Sequence, residues 1–185
     1  MTKLEVLKQY FGHSAFRDGQ EQVIDAILGG RDVLCVMPTG AGKSLCYQVP
    51  ALMSPGVTLV ISPLISLMKD QVESLTQSGA PAAFVNSTLT AAQYGQVLWG
   101  IRNGVYKLIY VAPERLTAPD FLDVCQTLEI SNLIVDEAHC VSQWGQNFRP
   151  SYLKIAEFAK GLPRRPTVGA FTATATGAVR DDIKT

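Results

Sequence analysis

Residues 32–44 read Asp32-Val-Leu-Cys-Val-Met-Pro-Thr-Gly-Ala-Gly-Lys-Ser44, and this stretch decides the fold of the 185-residue chain. Its first half is mostly apolar and predicts a buried strand, and the residues after Ser44 have helical periodicity. The glycines between them let backbone N–H groups curl around phosphate oxygens without Cβ clashes, and the N-terminus of the next helix adds positive potential. The stretch therefore predicts a strand, a phosphate-binding loop and a helix in succession.

The side chains of this loop suit a bound nucleoside triphosphate such as ATP. Lys43 would reach the β and γ phosphates, and the Ser44 hydroxyl would ligate Mg²⁺. The residues expected to hold the nucleotide are Thr39, Gly40, Gly42, Lys43 and Ser44. The strict phosphate-loop pattern has glycine where this chain has Met37, so a literal search would miss it. The alternative is a glycine turn followed by a solvated lysine.

Short apolar runs alternate with helical segments along the rest of the chain, which is typical of a parallel sheet wrapped by crossover helices. Strands are predicted at Asp32–Met37, Val57–Ser62, Ala82–Asn86, Lys107–Ala112, Asn132–Asp136 and Thr167–Thr172. Helices are predicted at about 43–53, 64–78, 90–102, 118–128, 151–160 and 175–184, and two more, at 3–10 and 17–28, precede the first strand. We therefore expect an α/β fold with a mostly parallel sheet and helices on both faces.

Composition and charge narrow the class of protein. With 47% hydrophobic and 17% charged residues, the chain is globular rather than disordered or fibrous. Sixteen basic and sixteen acidic residues cancel, so any binding of phosphate groups must rest on local side chains. The cysteines have neither metal-ligand nor disulfide spacing, which favours reduced thiols. The N-terminus is charged and no long apolar stretch occurs, so we expect a protein that is not secreted and not in a membrane, located in the cytoplasm or, in a eukaryote, the nucleus.

A second motif, Leu133-Ile-Val-Asp-Glu-Ala-His139, ends a later apolar strand. Ligands bind at the carboxyl ends of parallel strands, where one carboxylate can hold Mg²⁺ and its neighbour can polarise water. Asp136 is the predicted metal ligand, Glu137 the predicted catalytic base, and His139 a further candidate catalytic residue. The alternatives are an acidic pair that starts a helix and a hydrogen-bonded structural histidine.

The two motifs together resemble the first RecA-like lobe of superfamily 2 helicases. Further segments are similar to motifs of the RecQ family of DNA helicases, namely Phe16-Arg-Asp-Gly-Gln20, Ser44-Leu-Cys-Tyr-Gln-Val-Pro50, Ser62-Pro-Leu-Ile-Ser-Leu-Met-Lys-Asp-Gln71, Asn86-Ser-Thr88, Ala112-Pro-Glu-Arg-Leu116 and Asp136-Glu-Ala-His-Cys-Val-Ser-Gln-Trp-Gly145. The resemblance implies a RecA-like P-loop NTPase domain over residues 31–185, preceded by a helical segment, 1–30, that contributes to adenine recognition. It also implies ATP-driven 3′-to-5′ unwinding of DNA in repair and recombination, with single strands and duplex junctions as partners.

The resemblance assigns nucleotide contacts ahead of the phosphate loop. Arg17 and Gln20 would contact adenine, because the Gln20 amide can both accept and donate a hydrogen bond. His13 stands where the family often has an aromatic residue that stacks on the base. A second RecA-like lobe, which we expect to be absent from this chain, would complete the site.

Residues 143–152 resemble the aromatic-rich loop of the family, which links single-stranded DNA binding to ATP hydrolysis. Trp144 and Phe148 offer flat faces to unstacked bases, and Arg149 can pair with phosphate. The alternative is that both aromatic residues are ordinary core residues. The family pattern commonly has His-Asp where this chain has Gln146-Asn147, so an imidazole and a carboxylate are missing from this loop.

The segment Phe171-Thr-Ala-Thr174 resembles the Thr-Ala-Thr element of the superfamily, which connects the nucleotide state to the other lobe. The resemblance therefore assigns Thr172 and Thr174 to coupling. The alternative is that both hydroxyls cap the following helix.

Three classes of function remain open from the sequence. The first is a DNA-dependent ATPase lobe of a RecQ-type helicase, which is expected to bind ATP but to hydrolyse it poorly without the arginine of a second lobe. The second is a small-molecule kinase, although no Arg-rich lid is evident. The third is a non-catalytic module that binds nucleotide or DNA.

Overall fold

The computed structural model describes residues 1–142 and 148–184. Six strands form one sheet in this part of the chain: β1 (Val33–Val36), β2 (Val57–Ile61), β3 (Ala82–Val85), β4 (Leu108–Val111), β5 (Ile130–Val135) and β6 (Thr167–Thr172). Their spatial order is β1-β6-β5-β2-β4-β3, and each neighbouring pair is parallel. The six predicted strands are confirmed. The sheet was predicted to be mostly parallel, and every described strand pair is parallel.

Eight α-helices occur in the described residues: α1 (Lys3–Phe11), α2 (Gln20–Leu28), α3 (Lys43–Met53), α4 (Ile65–Gln77), α5 (Ala91–Arg102), α6 (Pro119–Cys125), α7 (Lys154–Gly161) and α8 (Gly177–Lys184). Short 3₁₀ turns cover Pro113–Thr117, Ala138–Val141 and Pro150–Leu153. Helix α2 begins three residues later than predicted, because Gly19 caps it in the left-handed conformation with φ 82°. The predicted helix at 151–160 begins as a 3₁₀ turn at Pro150 and becomes α-helical at Lys154.

The core lies in two layers, one on each face of the sheet. Along β2 the side chains of Leu59 and Ile61 pack with α5, α6 and α7, whereas Val60 between them packs with α2, α3 and α4. This alternation follows from the two-residue period of a strand and requires both faces to be apolar. The prediction of helices on both faces is therefore confirmed.

The N-terminal helices α1 and α2 pack against α3. Val6 and Leu7 of α1, Ile24 of α2 and Val49 of α3 form a small buried cluster. The division of the chain into units 1–30 and 31–185 stays a prediction.

The strand order determines which loops meet. In a parallel sheet all carboxyl ends lie at one edge, and β1, β6 and β5 are neighbours there. The phosphate loop follows β1, the Thr-Ala-Thr segment follows β6, and the Asp136-Glu137 pair follows β5. Three segments far apart in sequence therefore converge at one edge. No described helix is both long and apolar enough to cross a bilayer.

Candidate active site

The phosphate loop has the conformation that its glycines predict. Gly40 and Gly42 have φ of 83° and 81°, a region that side-chain-bearing residues rarely adopt. The Ala41 N–H donates to the Pro38 carbonyl at 3.1 Å, which closes a tight turn before α3 begins at Lys43. Lys43 and Ser44 thus occupy the first turn of α3, where unpaired backbone N–H groups and the helix dipole favour an anion.

Arg17 and Gln20 lie against this loop. The Arg17 guanidinium donates to the Gly40 carbonyl at 2.7 Å, and the Gln20 amide donates to the Gly42 carbonyl at 3.0 Å. A Cβ atom on Gly42 would overlap with the Gln20 amide, so a larger residue there would displace Gln20 in addition to straining the backbone at φ 81°. Gln20 is almost completely buried. A contact of either residue with adenine stays a prediction, and His13 lies exposed between α1 and α2.

Asp136 is a buried carboxylate at the end of β5. It is 8% exposed, and its pKa is raised to about 6. Burial is the largest cause of the increase, followed by the nearby charge of Glu137. The Glu137 N–H, which donates to Asp136 Oδ1 at 3.0 Å, and the charge of Lys43 act in the opposite direction. The charge of Lys43, at the start of α3, therefore acts on the carboxylate of Asp136, at the end of β5.

A hydrogen-bond network joins the carboxylate pair to the Thr-Ala-Thr segment. The Thr172 hydroxyl oxygen lies 2.9 Å from the Thr174 carbonyl oxygen, to which it donates, and 2.9 Å from His139 Nδ1. Glu137 Oε2 lies 3.3 Å from the same nitrogen. Thr172 is completely buried. Glu137, His139 and Thr172, together with the Thr174 backbone, thus form one connected unit, and the assignment of Thr172 and Thr174 to coupling stays a prediction.

The donor atoms near the phosphate loop suit Mg²⁺. This ion prefers oxygen ligands, keeps several waters and is bound by one or two protein groups together with phosphates. The Ser44 hydroxyl and the Asp136 carboxylate supply such oxygens. The Tyr47 side chain lies close enough to both residues to interact with them. When bound with nucleotide, the ion would neutralise phosphate charge. No cluster of three His, Cys, Asp or Glu residues that could hold a metal occurs in the described ranges.

Sequence reasoning missed the buried polar residues behind the loop. Tyr47 is 2% exposed, and its side chain lies beside the side chains of Ser44 and Tyr110. Gln48 donates to Tyr110 Oη at 2.9 Å and to Gln71 Oε1 on α4 at 2.8 Å. The helical spacing of Ser44 and Tyr47 was the available signal, because residues i and i+3 share a face. This network extends from the phosphate loop to α4.

The predicted DNA-binding residues are only partly described. Phe148 and Arg149 are half-buried, and the Arg149 N–H donates to the Cys140 carbonyl at 2.9 Å. Trp144, Gln146 and Asn147 lie outside the described residues. The assignment of Trp144, Phe148 and Arg149 to DNA binding stays a prediction.

The raised pKa of Asp136 leads to a pH-dependent prediction for stability. Between pH 3.8, its ordinary pKa, and about 6, the folded chain binds more protons than the unfolded chain, so the free energy of unfolding falls as pH rises through this interval. Asp136→Asn removes the charge, and in the nucleotide-free protein it should stabilise by up to roughly 3 kcal/mol at pH 8 and by almost nothing at pH 4. Urea unfolding at both values measures this difference. An equal effect at both would contradict it.

Comparison with known proteins supports a helicase lobe. The chain is 49% identical over 179 residues to the ATP-dependent DNA helicase RecQ of Bacillus subtilis (strain 168), a match that covers 96% of the chain and 30% of that protein. It is 50% identical over 182 residues to RecQ of Haemophilus influenzae, covering 98% of the chain and 29% of that protein. The chain therefore spans about 30% of the length of these curated relatives.

The fold is also found in solved structures. A hypothetical ATP-dependent RNA helicase from Sulfolobus tokodaii superposes with a TM-score of 0.73 at 22% identity, covering 98% of this chain and 53% of that one. This likeness concerns the fold alone and confirms the RecA-like α/β prediction. A family model described as DEAD/DEAH box helicase matches residues 17–183. The chain therefore belongs to the DEAD/DEAH box helicase family, and within that family it is a helicase lobe of the RecQ type.

Proposed function

We propose that the chain is the ATP-binding lobe of a RecQ-type 3′-to-5′ DNA helicase, in which ATP binding and hydrolysis drive movement along single-stranded DNA and unwinding of duplexes in repair and recombination. The observation that carries this proposal is the convergence of three segments at adjacent strand ends. They are the phosphate loop after β1, the carboxylate pair after β5 and the Thr-Ala-Thr segment after β6. The names of the RecQ relatives, which are DNA helicases, support the choice of DNA.

The hydrolysis step is assigned to residues at this edge. Lys43 would bind the β and γ phosphates, while Ser44 and Asp136 would hold Mg²⁺, which neutralises phosphate charge when bound with the nucleotide. Glu137 accepts a proton from the water that attacks the γ phosphorus, as the P–O bond to the leaving ADP breaks. His139 Nδ1 lies between Glu137 and Thr172, so a change at the catalytic base reaches the Thr-Ala-Thr segment through two contacts.

This network favours an ATPase over a module that only binds nucleotide. Binding alone needs the loop, the lysine and the helix N-terminus. It does not need a partly exposed glutamate beside a buried carboxylate, with a contact through His139 to the neighbouring strand. The Glu137 side chain is 23% exposed, so water can reach it.

The proposed DNA contact is tested by comparing the two tryptophans. Trp144→Ala should weaken binding of a fluorescent oligothymidine by roughly 1–3 kcal/mol, because stacking of one base is lost, and should leave nucleotide affinity within about twofold. Trp99→Ala is the matched control, since Trp99 on α5 is 64% exposed and lies outside the aromatic-rich loop. Fluorescence anisotropy measures both variants. Equal losses of DNA and nucleotide affinity in Trp144→Ala would instead indicate a packing role.

A further inference from the structure

The peptide group between Asp136 and Glu137 is held at both ends. Its carbonyl oxygen, which belongs to Asp136, accepts a hydrogen bond from the Tyr152 hydroxyl at 2.9 Å. Its N–H, which belongs to Glu137, donates to the Asp136 carboxylate at 3.0 Å. The orientation of this one peptide plane therefore affects both carboxylates, that of Asp136 through its hydrogen bond and that of Glu137 through its backbone.

Glu137 needs such support because its backbone is strained. It has φ 51° and ψ 45°, and among the described residues it is the only one other than glycine with a positive φ. A residue with a Cβ atom persists in this region only where its surroundings enforce it. Rotation of the 136–137 peptide would relieve the strain, but it would break the bonds to both Tyr152 and the Asp136 carboxylate.

Tyr152 is itself rigidly placed. It is 1% exposed, and burial raises the pKa of its phenol well above the ordinary value, so the hydroxyl remains a proton donor at physiological pH. Its backbone N–H donates to the Arg149 carbonyl, and the Arg149 N–H donates to the Cys140 carbonyl, both at 2.9 Å. The turn Pro150–Leu153 is therefore fastened to the 3₁₀ turn that directly follows Glu137.

We propose that Tyr152 is a positioning residue, whose hydroxyl holds the 136–137 peptide in the orientation that directs Asp136 and Glu137 towards the nucleotide. The expected consequence is that the Tyr152 hydroxyl increases the affinity of the site for Mg²⁺ together with nucleotide. This consequence rests on the proposed function. The tyrosine ring has a separate role, because it packs in the core layer of α5, α6 and α7. Removal of the hydroxyl alone distinguishes the two roles.

The first test is the Mg²⁺ dependence of nucleotide binding by the full chain. Tyr152→Phe keeps the ring and should raise the Mg²⁺ concentration at half-saturation of a fluorescent, non-hydrolysable ATP analogue about 10-fold, as expected when a group that orients a metal ligand is lost. Affinity for the analogue in EDTA should be unchanged. Tyr94→Phe is the control, because the Tyr94 hydroxyl donates to Asp120, away from the nucleotide site. An unchanged Mg²⁺ midpoint, or equal losses with and without Mg²⁺, would overturn the proposal.

A second measurement needs no nucleotide. Hydrogen exchange followed by mass spectrometry should show roughly 2–10-fold faster exchange in the segment 133–142 of Tyr152→Phe, since one hydrogen bond to that backbone is lost, and no change there in Tyr94→Phe. Unaltered exchange in this segment would show that the hydroxyl does not hold the peptide. If the wild-type chain binds no nucleotide, the proposed function fails, whereas the exchange result still decides whether Tyr152 orients the backbone.

Discussion

Steady-state ATP turnover by the isolated 185-residue chain is expected to lie about 10³–10⁵-fold below that of the same lobe joined to a second lobe that supplies an arginine. Charge develops on the equatorial oxygens of the transferred phosphoryl group, and an arginine at that position stabilises the transition state. In the proposed site, Lys43 and the first turn of α3 would contact the phosphates from one side. Phosphate release, measured with and without single-stranded DNA, tests this expectation.

A variant identifies the source of any residual turnover. Glu137→Gln removes the proposed base and keeps the size of the side chain, so it should abolish residual turnover if this originates at the site. Turnover that persists in Glu137→Gln would come from another ATPase in the preparation. Robust DNA-stimulated turnover by the wild-type chain alone would refute the need for a second lobe.

Lys43→Ala is expected to weaken ATP binding by about 10²–10³-fold, because truncation of one member of a partly buried charge pair leaves the other charge unpaired. Lys43 is half-buried at the start of α3, and its charge already lowers the pKa of Asp136. Loss of this cation should therefore also raise the pKa of Asp136 further. Calorimetry with ATP measures the first effect directly.

Two controls separate phosphate recognition from folding. Lys8→Ala changes an exposed lysine of α1 and should leave ATP affinity unchanged. AMP lacks the β and γ phosphates, so its affinity, although weak, should be the same for wild type and Lys43→Ala. Unchanged ATP affinity in Lys43→Ala would remove Lys43 from the phosphate site.

The sequence was sufficient to predict most of the secondary structure and the places in the fold where the candidate site residues lie. Strand positions follow from short apolar runs, and the phosphate loop follows from glycines between a strand and a helix. The acidic pair Asp136-Glu137 could be placed at the edge of the sheet because it directly follows the apolar run of β5. Each of these predictions depends on residues close together in the chain, so local backbone preferences are sufficient to make it.

Only the tertiary structure decided which of these groups touch. The bond from Gln20 to the Gly42 carbonyl, the bond between His139 and Thr172 and the bond from Tyr152 to the Asp136 carbonyl join residues 16–33 positions apart. The order β1-β6-β5 brings the segments of β6 and β5 beside the phosphate loop, although β6 is the last strand in sequence. Strand order is determined by the packing of helices on both faces of the whole sheet, and no local pattern of residues carries that information.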